Sequence, residues 1–198
     1  MSRTLAGMRR CDLVADAAIS LIARSGVRAL THRAVDAEAG VPLGTTSNYF
    51  RTREALLNGV AERLKMHDRR VVLAGGGVPT EVVAWADMLG QYVVAMATEY
   101  GYLARARIAL TTEVPEQMAG PHARLKAGIA RALGPFGVDD AEGDAQHVID
   151  YIDGVIIHCV YLAAALPDAD VIAQNVLRLV GVTTLPAGSA SGERQAHL

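Results

Sequence analysis

The hydrophobic residues of this chain recur with the period of an α-helix along almost its whole length. Apolar side chains stand at positions 14, 17, 18, 21 and 22, which form one stripe of an amphipathic helix over residues 9–24. The same spacing predicts helices over residues 31–39, 43–50, 52–73, 80–100, 102–112, 115–134, 141–166 and 168–182. No segment shows the two-residue alternation of a half-buried strand. The pattern therefore predicts an all-α protein.

Particular residues predict where these helices begin and break. Thr31, Thr52, Thr80 and Asp168 each precede an apolar stripe, and each has a side-chain oxygen that can cap a helix. Gly120-Pro121 predicts an interruption in the helix of residues 115–134, because proline lacks the backbone donor that a helix interior needs.

The glycine-rich run of residues 74–79 is the clearest break in the chain and predicts a domain boundary. It divides the chain into a head of residues 1–52, a connecting helix of residues 53–73 and a second helical domain of residues 80–185. The small polar residues 186–198 predict a disordered tail.

Charge is distributed unevenly along the chain, although the net charge is only −2. Residues 1–70 hold 12 lysines and arginines against 7 acidic residues, whereas residues 71–198 hold 7 against 14. A basic first third joined to an acidic remainder is typical of a protein whose N-terminal end meets an anionic partner.

The rest of the composition indicates a reduced, cytoplasmic protein. Charged residues or glycines interrupt every apolar run, so no segment is expected to span a membrane. The N-terminus develops no apolar signal-peptide core. Cys11 and Cys159 lie far apart within apolar helical patterns, which favours free thiols.

Residues 31–50 combine a capped helix, a Gly40-Val41-Pro42 turn and a short polar helix. Two helices joined by so short a turn predict a helix-turn-helix, whose second helix enters the major groove of DNA. Phe50 is expected to anchor this second helix to the core. The pattern alone also allows a helical hairpin with a solvated polar face. The polar side chains suited to base edges and phosphates are Thr45, Thr46, Ser47, Asn48 and Tyr49.

Residues 40–57, GVPLGTTSNYFRTREALL, resemble the signature of TetR/AcrR-family transcriptional regulators. The shared features are the Gly-Val turn, the recognition helix, the aromatic anchor and the Thr-Arg-Glu-Ala-Leu start of the next helix. The resemblance extends over about residues 9–70. It implies a three-helix DNA-binding head, a divergent helical ligand domain and dimerisation through the last two helices.

The resemblance also implies roles for individual residues in the head. It implies that Thr31, Arg33 and Arg53 contact DNA phosphates. The residues implied to contact the major groove are Thr45, Ser47, Asn48 and Tyr49. The sequence departs from the family at Pro42, where a polar cap is common, and at Ser47 and Asn48, where aromatic residues are common. These departures predict a different base preference.

In the second domain, aromatic, methionine and histidine side chains share helical faces. Each residue alone indicates core packing, but together with the resemblance they predict a small-molecule pocket. The predicted lining residues are Trp85, Met88, Tyr92, Met96, His147, Tyr151 and His158. The apolar stripes of the last two helices predict the dimer interface. Its predicted residues are Ile149, Ile152, Ile156, Val160, Val176 and Leu179.

No pattern in the chain indicates an enzyme, a metal site or a cofactor. The histidines lack the companion ligands of a metal motif, and residues 74–78 lack the Gly-Lys-Ser/Thr ending of a phosphate loop. The expected function is a homodimeric cytoplasmic repressor that binds a palindromic double-stranded DNA operator and is released by a small-molecule effector. The alternative is a helical-bundle enzyme or small-molecule carrier whose DNA-binding head has degenerated.

Overall fold

The computed structural model describes residues 2–73 and 78–182, which form nine α-helices, two short 3-10 turns and no strand. The all-α prediction is confirmed. The helices are α1 (Ser2–Ser25), α2 (His32–Glu38), α3 (Thr45–Tyr49), α4 (Arg53–Leu73), α5 (Val82–Ala97), α6 (Gly101–Glu113), α7 (Pro115–Leu133), α8 (Ala141–Leu162) and α9 (Ala169–Leu179).

The first four helices surround a core of aliphatic side chains contributed mainly by α1 and α4. Val14, Ile19, Leu56 and Val60 are fully buried there. This core continues into the second domain without a break, because α6 packs along α1 and α7 packs along α4. The predicted division at residue 52 stays a prediction.

Two of the predicted helix caps are confirmed by hydrogen bonds. The Thr31 hydroxyl oxygen accepts from the Ala34 amide at 3.1 Å, and that of Thr52 accepts from the Ala55 amide at 3.0 Å. Thr80 does not cap α5, because that helix starts one residue later than expected and has Glu81 at its N-cap position. Asp168 occupies the N-cap position of α9 without a side-chain bond.

Helix α7 continues through Pro121, so the predicted interruption is wrong. Proline removes one backbone hydrogen bond, but packing against neighbouring helices supplies most of a helix's stability in a folded protein. Met118, Ile129 and Leu133 are buried on both sides of the proline and hold α7 against its neighbours α4, α6 and α8.

The longer predicted helices end early. Helix α8 stops at Leu162 because Ala163 takes a left-handed conformation with φ of 49°. Helix α5 stops at Ala97 and α9 at Leu179, each about three residues short of the prediction. The predicted tail of residues 186–198 lies outside the described residues.

Helices α5 and α9 make the closest packing in the second domain. A Cβ atom built on Gly90 of α5 would lie 2.4 Å from the carbonyl oxygen of Ala169, the first residue of α9. Only a glycine at this position lets the two backbones approach so closely. Every helix in the described part of the chain is too short or too polar to span a lipid bilayer.

Candidate DNA-binding surface and cavity

Helix α3 is held in place by the carboxylate of Asp36 on α2. One carboxylate oxygen accepts from the Gly44 amide at 2.7 Å, and the other accepts from the Thr46 amide at 2.7 Å and its hydroxyl at 2.5 Å. A helix of five residues has no stability of its own, and its first amides lack intrahelical partners. The carboxylate satisfies one of these amides and places a negative charge at the positive end of the helix.

Asp36 is only 1% exposed, yet it stays ionised. Burial raises its pKa, but the hydrogen bonds from Thr46 and Gly44 outweigh this effect and hold the pKa of Asp36 below its usual range. Sequence reasoning missed Asp36, because one aspartate in a short helix looks like part of a solvated face. Its position before a glycine turn was the available signal.

Thr46 is fully buried, so the prediction that it contacts DNA is wrong. Its side chain serves the bond to Asp36 instead. The predicted anchoring by Phe50 is confirmed, since its ring packs against the core. A Cβ atom on Gly59 of α4 would lie 2.2 Å from that ring, so this glycine makes room for the anchor.

The other predicted groove residues lie at the surface. Ser47, Asn48 and Tyr49 are exposed on α3, and the half-buried Thr45 donates its hydroxyl to the Pro42 carbonyl at 2.6 Å. On α2 and its cap, Arg33 and Thr31 are exposed. Leu43, which the sequence pattern does not indicate as a contact residue, is 73% exposed beside the helix. The DNA contacts of these residues stay predictions.

Arg53 is turned towards the protein rather than outwards. Its guanidinium donates to the Leu30 carbonyl and, at 2.8 Å, to the Val27 carbonyl, so it ties the start of α4 to the turn after α1. Its phosphate contact stays a prediction and requires these bonds to be shared or exchanged. Arg51, two residues earlier, is exposed and forms no ion pair with any residue the structure describes.

A second polar cluster fastens α4 to α1 behind the helix-turn-helix. Arg63, 7% exposed, donates to both carboxylate oxygens of Asp16, at 2.7 and 2.6 Å, and His67 lies 2.7 Å from the same group. Burial raises the pKa of Asp16, but bonding to Arg63 and His67 outweighs it and leaves the pKa below its usual range. Movement of α4 is therefore coupled to α1.

A cavity of about 590 Å³ lies between α4, α6, α7 and α8. Most of its wall is apolar, and that part includes Ala61, Leu64, Val72, Pro115, Met118 and Leu125. Polar groups line it from all four helices. Those deepest in the protein are Asp68, Arg107 and Asp153.

Arg107 forms hydrogen bonds that connect the polar groups in the interior of the cavity. Its guanidinium donates to the Asp68 carboxylate and to the Tyr92 hydroxyl, the latter at 3.3 Å. Burial raises the pKa of both Asp68 and Asp153, and the positive charge of Arg107 opposes this shift. In the part of the chain that the structure describes, no group of three or more potential metal ligands is assembled.

Residues 14–60 match the family model described as bacterial regulatory proteins, tetR family. The match spans the core of α1, the helix-turn-helix and the start of α4. This N-terminal region is a TetR-family domain. A comparison with curated protein sequences gives no match.

Solved structures extend the likeness over the whole TetR-family fold. A TetR family member from Streptomyces coelicolor shares 22% identity, with 86% of this chain and 98% of that chain covered and a TM-score of 0.70. The multidrug binding protein EbrR in complex with imidazole shares 24% identity over 91% and 93% of the two chains, with a TM-score of 0.67. EbrR with ethidium gives 20% identity, coverage of 86% and 98%, and a TM-score of 0.65.

The residues predicted to line a pocket do not line this cavity, so the predicted lining is wrong for it. Trp85, Tyr92 and Met96 are buried in the core, and the Trp85 ring lies 6.2 Å from that of Phe136. Met88 is half-buried against that core. A periodic pattern identifies buried faces, whereas a cavity arises where facing side chains leave space unfilled.

The remaining pocket residues lie on α8, away from the cavity. His147 and His158 are exposed, and the Tyr151 hydroxyl accepts from the Asn175 side-chain amide at 2.9 Å. Of the predicted pocket residues, Tyr92 alone reaches the cavity's charged groups, through its bond to Arg107.

Most of the predicted interface residues belong to the core of the TetR-family fold itself. The five that are at most 8% exposed, and thus wrongly placed at the surface, are Ile149, Ile152, Ile156, Val160 and Val176. Leu179 is 37% exposed, and its place in an interface stays a prediction. The apolar stripe predicts an outer face, but α5, α6 and α7 cover it. The apolar residues that α8 and α9 do expose include Ile157, Leu162 and Val171.

Proposed function

We propose that this protein is a ligand-responsive transcriptional repressor that binds a palindromic operator in the cytoplasm as a homodimer. The observation that carries the proposal is the arrangement of α3, a TetR-family recognition helix fixed from behind by Asp36 and presenting polar side chains outwards. A helix so placed is suited to the major groove.

The exposed groups of the head match the chemistry of DNA. The Asn48 amide can pair with two atoms of an adenine, and the Tyr49 hydroxyl can reach a base or a phosphate. Arg33 and the exposed Arg51 supply positive charge beside α3. Thr31 lies at the start of α2, where free amides favour a phosphate.

The cavity supports the response to a ligand. Its volume of about 590 Å³ suits a drug-sized molecule. Helix α4 supplies Leu64 and Asp68 to the cavity wall and, through Arg63, is fastened to α1 of the head. The similar protein EbrR binds drugs, in keeping with a ligand site in this fold.

Release from DNA follows from the position of α4. Two recognition helices in a dimer must lie about 34–36 Å apart to enter successive major grooves. A ligand that prefers a wider cavity displaces α4 and shifts the dimer towards a spacing that no longer fits the operator.

For the dimer, the supporting feature is an apolar surface on the last two helices. Leu162 is 69% exposed, Val171 46%, Ile157 38% and Leu179 37%. Exposed apolar residues on the same two helices favour a two-fold contact in which this surface meets its copy. Operator binding requires this pairing, because one short helix reads too few base pairs to be selective.

DNA binding tests the proposal most directly. We expect the full-length protein to retard the DNA upstream of its own gene in a gel shift with excess competitor DNA. Asn48→Ala should lose about 1–3 kcal/mol of operator binding while remaining folded. Gln91→Ala, which removes an exposed amide from α5, is the matched control and should bind as the wild type does.

A carrier or enzyme would give a different result. It would bind small molecules without retaining any preference for operator over competitor DNA, and Asn48→Ala would then be indistinguishable from Gln91→Ala. That outcome would contradict the repressor.

A further inference from the structure

Asp153 is the one acidic group of the cavity that the rest of the described protein leaves without a partner. It extends from α8 into the space between α4, α6 and α7. Among the residues that the structure describes, none donates a hydrogen bond to its carboxylate or forms an ion pair with it. An uncompensated carboxylate against an apolar wall is unfavourable unless a ligand or a proton neutralises it.

Arg107 cannot neutralise both acidic groups of the cavity. Its guanidinium already donates to Asp68 and to Tyr92. The interior therefore holds two carboxylates, those of Asp68 and Asp153, for one guanidinium.

The remaining charges lie nearer to solvent. Lys65 and Arg124 border the cavity, but both are more than half exposed and both pair with Glu62, at 3.4 and 3.0 Å. Arg69 and His122 also border it and are exposed. Solvent and salt screen these groups more strongly than the interior guanidinium of Arg107, and of the four only His122 lowers the pKa of Asp153.

We propose that the effector of this protein is a lipophilic organic cation whose charge is neutralised by Asp153 inside the cavity. The inference rests on the proposed ligand response and names the chemical class of the ligand. The apolar wall, which includes Leu64, Met118 and Leu125, receives the hydrophobic part of the molecule. Asp153 receives its charge.

The other charge classes fit this interior less well. An anion would add a third negative charge beside Asp68 and Asp153, and the charge of Arg107 is already shared with these two carboxylates. A neutral molecule would leave Asp153 both desolvated and unpaired. A cation placed beside Asp153 removes the imbalance.

Titration of Asp153 adds a signature that can be measured. Burial raises its pKa, the charge of Arg107 lowers it, and Asp150 and Asp68 raise it further, with His122 acting in the opposite direction. The other titratable groups near Asp153 belong to neighbouring helices and are Lys65, Arg69, Tyr92 and Arg124. Because a cation binds the ionised carboxylate, binding displaces a proton, and affinity rises as the pH rises through this elevated pKa.

The test uses two probes of the same shape and opposite charge, tetraphenylphosphonium and tetraphenylborate, titrated calorimetrically into the full-length protein. We expect the phosphonium to bind and the borate to bind at least tenfold more weakly. Asp153→Asn should weaken phosphonium binding by about tenfold or more. The variant loses the attraction between carboxylate and cation, and an interaction strong enough to shift a pKa by one unit changes an equilibrium constant by a factor of about ten. Asp150→Asn, which removes an exposed charge from the same helix, is the matched control and should change it little.

The same titrations at several pH values provide a second readout. The phosphonium has no titratable group, so the rise in its affinity with pH should be present in the wild type and absent in Asp153→Asn. Thermal unfolding verifies that this variant is folded, and the comparison of the two probes in the wild type does not depend on any variant.

Four results would each overturn the cation site. The protein could prefer the borate or bind neither probe. The Asp153→Asn and Asp150→Asn variants could bind the phosphonium equally well, or the affinity of the wild type for the phosphonium could be independent of pH. Operator binding is measured on the same samples by gel shift. If the protein binds its operator but gives any of those four results, the proposed DNA-binding function remains and only the cation site is contradicted. If it binds the phosphonium but no operator, the cation site remains and the proposed repressor function is contradicted.

Discussion

The recognition helix of this protein depends on a residue that lies behind it. Asp36 accepts three hydrogen bonds from Gly44 and Thr46 while almost completely buried. The sequence pattern could not single it out, because α3 is too short for periodicity to distinguish its inner face from its outer face. For the same reason the pattern does not distinguish Thr46, which is fully buried, from its exposed neighbours.

Asp36→Ala should therefore weaken the fold and DNA binding together. The change leaves the Gly44 and Thr46 amides and the Thr46 hydroxyl without their acceptor. We expect the free energy of unfolding in urea to fall by about 1.5–3 kcal/mol, as for hydrogen bonds to a charged group.

Glu38→Ala on the same helix is the control for this measurement. Glu38 pairs with Arg24 at the surface, where an ion pair contributes little, so the stability should stay near that of the wild type. Equal stability of the two variants would show that Asp36 does not hold α3.

At the level of helices, the sequence predicted which segments are helical better than where they end. Apolar spacing identifies a helix that packs on others, and this information is local. Helix ends depend on competition between caps and packing. Pro121 was expected to interrupt α7, and Thr80 to cap α5, but packing decided otherwise in the first case and Glu81 occupies the cap position in the second.

Two glycines within helices should respond in opposite directions to the same substitution. Gly90→Ala places a methyl group 2.4 Å from the Ala169 carbonyl, which forces α5 and α9 apart, and should cost about 1–3 kcal/mol. Gly128→Ala on α7 meets no atom within 4 Å and should gain up to about 1 kcal/mol of helix propensity.

Urea unfolding of both variants measures this difference directly. A Gly90→Ala protein as stable as Gly128→Ala would show that α5 and α9 do not need their close approach.

Across the whole molecule, the fold class and the DNA-binding region could be predicted from the sequence, whereas the cavity and the outer surface could not. The helix-turn-helix is encoded within residues 31–57, so its pattern is visible in a single segment. The cavity is formed by residues from four helices, among them Asp68, Arg107 and Asp153. Which face of α8 is covered depends likewise on distant helices.

Adjacent residues of α8 should separate assembly from stability. Ile157→Glu places a charge on the exposed face and should yield a folded monomer with weakened operator binding. Ile156→Glu buries a carboxylate at a position 4% exposed and should cost several kcal/mol of stability. Sedimentation and thermal unfolding distinguish the two outcomes.

Leu13→Glu, at a leucine of α1 that is 47% exposed against 38% for Ile157, controls for the added surface charge. A dimeric Ile157→Glu protein with full operator affinity would place the interface elsewhere.

Within the helix-turn-helix, the residues that hold α3 in place differ from those that face outwards, and this separation affects how the protein can change its DNA specificity. Asp36 and Thr46, together with Phe50 seated over Gly59, secure α3 from the inside. The side chains of Asn48 and Tyr49 form no hydrogen bond with the residues that the structure describes. Changes on the outer face therefore alter which operators are chosen while the scaffold survives, so a lineage or an engineer can retarget the protein without rebuilding it.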